Sequence, residues 1–298
     1  MGDDILPDAG PLRGHMMKRL LLADGTRAGS RLVAVGDHGY IVTSDDGGAT
    51  WRRAKVPRSP LLTALQFIDE KRGWAVGHDS IILTTADAGD NWNVQFSAPR
   101  EQRPLLGVLF LDAQRGMAVG AYGAFYETAD GGAHWTARKV IADDKHLNAI
   151  ADLGKGRLLI VGESGTILRS GDAGVTWQPV ASPYKGSLFG LGAARDGSVV
   201  AFGLRGHVFR SSDAGATWAA VKTSTEAALA SATVLADGAI ALVGNAGTLL
   251  VSRDNGQTFN PVATGRRHAL ARALPGRPGS ILVLGEGGVT EVPLAARP

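Results

Sequence analysis

The chain has 298 residues and a mass of 30.9 kDa, with 31 Lys and Arg against 28 Asp and Glu, for a formal charge of +3. The absence of cysteine excludes disulfides, thiolate nucleophiles and cysteine-held zinc or iron–sulfur centres, and no run approaches the roughly 18 apolar residues of a membrane-spanning helix. At 44% hydrophobic and 20% charged, with 41 glycines and 13 prolines outside any collagen pattern, the composition is that of short strands joined by tight turns rather than of a disordered coat.

In chain order, residues 3–8, around Asp4-Ile5-Leu6, precede the first repeat, and residues 16–22 read as a short, basic-flanked strand. Residues 1–30 contain no apolar core with a cleavage site, so they do not read as a secretory leader. The start Met1-Gly2-Asp3-Asp4 reads instead as one put in place of a removed leader. From there a hydrophobic pair ending in glycine recurs at Gly36, Gly77, Gly120, Gly162, Gly203, Gly244 and Gly285, at intervals of 41, 43, 42, 41, 41 and 41 residues. Seven units of about 42 residues leave almost nothing over, so the chain reads as one repeat array across 1–298 rather than two domains.

Each unit predicts four strands. In the second they are residues 61–68, 73–76, 80–84 and 92–96, β-branched and aromatic runs broken by glycine. No window carries the 3.6-residue stripe of a long amphipathic helix. Four strands in about 42 residues, seven times over, predict an all-β, seven-bladed β-propeller with four-stranded blades. The last unit stops after its third strand, residues 289–292, with only residues 295–298 beyond Leu294. Its missing outer strand is expected from residues 3–8, which would close the ring and remove the open edge.

The strongest motif is Ser/Thr-x-Asp-x-Gly-x-Thr-Trp. It pairs Asp46 with Trp51, Asp87 with Trp92, Asp130 with Trp135, Asp172 with Trp177, Asp213 with Trp218, and Asp254 with Phe259 in place of tryptophan; the seventh unit lacks it. Six carboxylates in register invite metal or acid–base chemistry, but turn chemistry accounts for them. Asp and Ser/Thr bond their own backbone, glycine supplies a positive φ, and the aromatic packs between blades.

These boxes resemble the Asp-box, or BNR, repeats of sialidases, related glycoside hydrolases and several non-enzymatic propellers. The longer pattern, Gly73-Trp74-Ala75-Val76-Gly77 before Thr85-x-Asp87-x-Gly89 and Ala118-Val119-Gly120 before Thr128-Ala129-Asp130-Gly131-Gly132, is similar to the photosystem II stability/assembly factor family of seven-bladed propellers, including its non-photosynthetic bacterial relatives. That resemblance implies a non-catalytic factor working outside the cytoplasm, with an arginine patch on one face that contacts a membrane-protein client.

An Asp-box glycosidase or a glycan-binding module is the alternative. The sialidase resemblance implies a Phe/Tyr-Arg-Ile-Pro motif, an arginine triad and a tyrosine–glutamate pair. The nearest string here, Val56-Pro57-Arg58-Ser59-Pro60, has the wrong order. Of the four tyrosines, Tyr40 and Tyr126 fall in third strands and Tyr122 in a turn, leaving Tyr184. The acids of the turns between second and third strands are Asp37, Asp79, Glu163 and Glu286. Glu163 and Glu286 are expected on opposite sides of the ring, about 20 Å apart, too far for a pair of hydrolytic carboxyls. Asp37-His38 and His78-Asp79 offer a zinc- or manganese-type ligand set, but aspartate in so short a turn is explained by turn geometry alone. No catalytic residue, metal or cofactor is expected.

Charge is unevenly spread. The six segments running from each box aromatic to the next first strand total +9 and the remainder −6, so one face is expected to be basic. Arg52, Arg53, Lys55 and Arg138 are read as solvating outer strands. The expected partner-binding face comprises Arg58, Arg100, Arg103, Lys185, Arg205, Arg266 and Arg267. Nucleic acid is not the expected partner, because stacking aromatics do not interleave with these charges. The expectation is a monomeric, exported (periplasmic) scaffold that is not itself transmembrane and binds an acidic segment of a membrane or envelope protein.

Overall fold

A computed structural model describes residues 10–12 and 14–294. Seven antiparallel sheets follow one another along the chain, five of four strands, one of five and one of three. Blade two is representative: Leu62–Phe67, Gly73–Gly77, Ile82–Thr85 and Asn93–Phe96 run from the axis outward. The first strands pack on one another in chain order, and that of blade seven, Leu270–Pro275, packs on that of blade one, Leu22–Ala28. The molecule is a seven-bladed β-propeller.

The glycine series has a packing cause. A Cβ on Gly77 would lie 2.1 Å from the carbonyl oxygen of Leu61, and the same clash recurs at Gly36, Gly120, Gly162, Gly203, Gly244 and Gly285. The obstructing carbonyl accepts the N–H of the residue just after each glycine, as His78 to Leu61 and Glu163 to His146. Every second strand is thereby tied to the entry of its own first strand. Because it lies mid-blade with sheets on both sides, the second strand of blades two to six is buried at every position, which is why it reads as a continuous apolar run.

The first six of these glycines lead into a helical turn whose middle residue is left-handed: His38, Asp79, Tyr122, Ser164, Arg205 and Ala246, with φ between 50° and 60°. All six are exposed. These turns and the blade-to-blade connections share one face, joined by bonds such as Ala98 N–H to Asp79 O at 3.1 Å and Gly123 N–H to Lys145 O at 2.8 Å. The Asp-boxes and the loops between first and second strands occupy the other.

In box four the Ser170 hydroxyl donates to Asp172 at 2.7 Å and accepts from Gly174 N–H at 2.9 Å, while Thr176 gives Asp172 both its N–H (2.9 Å) and its hydroxyl (2.6 Å). The other five repeat the plan, with Asn91 and His134 in the threonine role. Trp51, Trp92 and Trp218 close their boxes by donating to Gly48, Gly89 and Gly215. In box four Arg138 of the preceding blade takes the Gly174 carbonyl, and Trp177 Nε1 has no partner among the described residues.

These bonds make the boxes acid-sensitive. The threonine hydroxyls hold Asp46, Asp172 and Asp213 at about 2, below the carboxylate's ordinary value of about 4. Their stabilisation is complete above that ordinary value and is lost as pH falls through the folded value. Asp24 has the opposite sign: burial raises its pKa, partly countered by Arg272, so its contribution is lost as pH rises. With more groups of the first kind, the melting temperature is expected to hold near neutrality and fall steeply between about pH 4 and 2. A melting temperature unchanged down to about pH 2 would show that the boxes contribute no stability.

The sequence expectations need correction at the N-terminus. Residues 16–22 do not form a strand. Gly14–Met17 is a single helical turn, and only Leu22 joins the first strand of blade one. Met17, Leu20 and Leu22 turn inward onto Leu282 and Leu284 of blade seven, which favours a wedge over an extended ribbon. Residues 3–8, expected to complete blade seven, lie outside the described residues. Pro11–Leu12 adds a fifth strand to blade one, and blade seven has three strands among the described residues. Polar contacts across the seam between these blades include the Asp24–Arg272 ion pair at 3.4 Å, Arg27 donating to Pro275 O at 2.8 Å, and Gly288 N–H donating to Leu20 O at 3.1 Å.

Candidate partner-binding face

The expected cations fall into two groups. Arg58, Arg100, Arg205, Arg267 and Lys185 stand exposed on the turn face, and their charged groups make no hydrogen bond or ion pair among the described residues. Arg103, also exposed, lies beside the Tyr126 phenol. Arg266 differs: it is half-buried, and its guanidinium donates to Thr290 Oγ1 of blade seven. Of the four cations read as solvating outer strands, Arg53 is buried, with its guanidinium 4.6 Å from the centre of the Tyr40 ring. Arg52 pairs with Asp45 and Asp90, and Arg138 with Glu127. Arg53 and Arg138 are therefore held by neighbours rather than free in solvent, Arg53 over the Tyr40 ring of its own blade and Arg138 on the Gly174 and Val175 carbonyls of the next. Lys55 is exposed.

Three of the four turn acids on this face are engaged locally, while Asp79 is exposed and its carboxyl makes no hydrogen bond or ion pair among the described residues. Glu163 lies 3.2 Å from His146 Nδ1 and accepts the His146 N–H, while Glu286 lies 3.7 Å from His268. Asp37 contacts its own neighbour His38 at 3.1 Å. Among the described residues, no group of three or more His, Asp or Glu side chains converges in a way that suits a metal ion.

Among the described residues one tyrosine–glutamate pair exists, Tyr126 to Glu101 at 2.6 Å. Burial first, and then the Glu101 carboxylate, push the Tyr126 phenol up to about 12. It is thus held protonated, the reverse of what an activated nucleophile requires. The axial channel, about 300 Å³, is lined by first strands from all seven blades. Among the described residues lining it, Asp24 alone carries a carboxyl, and that carboxyl accepts Leu65 N–H at 2.9 Å and pairs with Arg272. Hydrolysis by two facing carboxyls has no second member there.

A cluster that the sequence reading missed lies across blades three to five. Tyr122 is 52% exposed and meets the His146 ring edge-on, with centroids 4.9 Å apart. The Tyr184 ring stacks on His207 at 4.4 Å, and its hydroxyl donates to Leu204 O. Leu204 itself is 38% exposed. In the sequence Tyr184 stands beside Lys185 and shows no sign of its partners in space. Aligning the turns on the 41–43-residue period would have placed Tyr122 at the position of Arg205 and exposed the pattern.

The profile of the family described as "Photosynthesis system II assembly factor YCF48" matches residues 28–98 and 95–239. The photosystem II stability/assembly factor HCF136 of Arabidopsis thaliana, a chloroplast protein, is 33% identical over 70 residues, which is 22% of this chain and 17% of that protein. Among solved structures, a YCF48 bound to a D1 peptide superposes with a TM-score of 0.74 at 21% identity, covering 98% of this chain and 96% of the other. YCF48 from Cyanidioschyzon merolae gives 0.73 at 17% identity, covering 96% and 98%.

Proposed function

The chain belongs to the photosynthesis system II assembly factor YCF48 family, and from that premise we propose that it is a non-catalytic, exported scaffold whose turn face holds an acidic segment of a membrane or envelope protein. The observation that carries this reading is the set of five exposed cations without partners, Arg58, Arg100, Arg205, Arg267 and Lys185, gathered on one face of a molecule whose net charge is only +3. Elsewhere in the fold arginines are spent on structure: Arg31 on Ala88 O, Arg169 on Ala214 O and Arg210 on Asn255 O, each reaching the box loop of the next blade. Unpaired cations add little to a fold, whereas a field of one sign attracts and orients an oppositely charged segment. A family relative that binds a peptide supports the same reading. So does Tyr126, held protonated by burial and by Glu101 as described above.

The test is anisotropy titration of labelled synthetic peptides of matched sequence, one carrying Asp and Glu and the other Asn and Gln. The acidic peptide is expected to bind at least about tenfold more tightly and to weaken as salt rises from about 50 to 200 mM, since the Debye length shortens over that range. Equal affinity for both peptides, at both salt concentrations, would remove the reading.

A further inference from the structure

We propose that blades three to five carry a built anchor for an apolar side chain within the bound acidic segment, a reading that rests on the function proposed above. The contacts form one continuous ridge. The Tyr122 ring meets His146, His146 reaches Glu163, and Gly165 of that same turn packs against the Tyr184 carbonyl. Tyr184 then stacks on His207 and bonds Leu204 O. Tyr122 and Leu204, the two exposed apolar ends, occupy the turns of blades three and five and flank the turn of blade four.

Position and chemistry single this ridge out. Five large apolar side chains stand exposed among the described residues: Leu21, Val94, Tyr122, Val175 and Leu204. Val94 and Val175 belong to outer strands and box loops, and Leu21 stands alone at the seam of blades one and seven. Only Tyr122 and Leu204 are joined by a chain of aromatic and imidazole contacts. A cavity of about 280 Å³ opens beside Tyr122, with Arg103, Lys139 and Ile141 in its wall. Asp143 and Asp144 also line it; Asp143 is neutralised by Lys145 at 3.0 Å, and the exposed Asp144 stands against the two cations Arg103 and Lys139 of the wall. At the other end Lys185 and Arg205 flank Tyr184 and Leu204, their charges unpaired.

Aromatic and apolar surface ringed by cations is the composition of a contact centre, where rigid rings give area at low entropic cost. Tyr122 is fixed by its left-handed turn and by His146, and Tyr184 by stacking, so little ordering remains to be done on binding. The occupant is a peptide segment with one aromatic or large aliphatic residue between carboxylates. The carboxylates meet Arg103, Lys139, Lys185 and Arg205, and the apolar side chain lies against Tyr122 or Leu204.

A double-mutant cycle tests this. Two acidic peptides differing only by Phe or Ala at the central position are titrated against the wild-type chain and a Tyr122→Ser/Leu204→Ser variant, with melting temperatures recorded for both proteins. Wild type is expected to bind the Phe peptide about tenfold more tightly than the Ala peptide. The variant is expected to bind both with the affinity wild type shows for the Ala peptide. If wild type binds the two peptides equally, or the variant weakens both alike, the anchor is refuted while the basic-face reading stands. If neither peptide binds wild type, the basic-face reading itself has failed.

Discussion

Reversing the five unpaired charges, by replacing Arg58, Arg100, Arg205, Arg267 and Lys185 with glutamate, is expected to weaken acidic-peptide binding by at least about a hundredfold at low salt. Each reversal changes the charge by two, so the chain moves from +3 to −7, and all of the change falls on one face. Attraction becomes repulsion, which costs far more than removing a contact. The fold is expected to survive, because none of these charged groups bonds to the rest of the described protein and exposed substitutions of this kind cost only about 0.5 kcal/mol each. Arg266 is left out deliberately: its bond to Thr290 would make a loss of binding and a loss of blade seven indistinguishable. Titration at about 50 mM salt, with circular dichroism as the folding control, reads both quantities. Undiminished affinity in a folded variant would show that the face is not the binding surface.

For stability, Phe202→Ala is expected to cost about 3–5 kcal/mol in urea unfolding. Phe202 is fully buried in the second strand of blade five, among Val200, Leu229 and Leu242. Its ring also covers Gly190, where an added Cβ would lie 2.5 Å from it. Gly190→Ala alone is therefore expected to destabilise by overpacking. Combined with Phe202→Ala, the same methyl would enter the vacated space, so the double variant is expected to be more stable than the sum of the single losses requires. Additive losses would mean that ring and glycine are not the complementary pair the packing indicates.

The fold was legible because each blade repeats its own constraints locally. A glycine that must clear a carbonyl, a box that satisfies its own turn and a second strand buried on both faces all leave marks within about 42 residues. The N-terminus was misread because Met16, Met17 and Leu20 to Leu22 make a short apolar run around Lys18 and Arg19, while what orders Met17, Leu20 and Leu22 is contact with Leu282 and Leu284 at the far end of the chain. Asp24 and Arg272 carried no signal for the same reason: neither belongs to a motif, and only ring closure brings them together. The basic face could be anticipated from charge counts. Counts could not separate Arg53, buried against Tyr40, from Arg58, five residues later and free on the surface. Nor could they reveal the ridge, whose members come from three blades and meet only through side-chain direction.

The left-handed turn residues have a consequence of their own. His38, Asp79, Tyr122, Ser164, Arg205 and Ala246 share one backbone conformation and are all exposed, yet they differ in charge, size and polarity. The backbone penalty at such a site is of the order of 1 kcal/mol for an ordinary side chain, less for Asn and Asp and more for a β-branched one, and none of the six is β-branched. The ring of turns therefore works as a keyboard of equivalent positions around the axis, whose letters can be exchanged without retuning the instrument. Moving the tyrosine from blade three to the alanine position of blade six would present its ring three blades away, without the His146 contact, and leave every strand where it is.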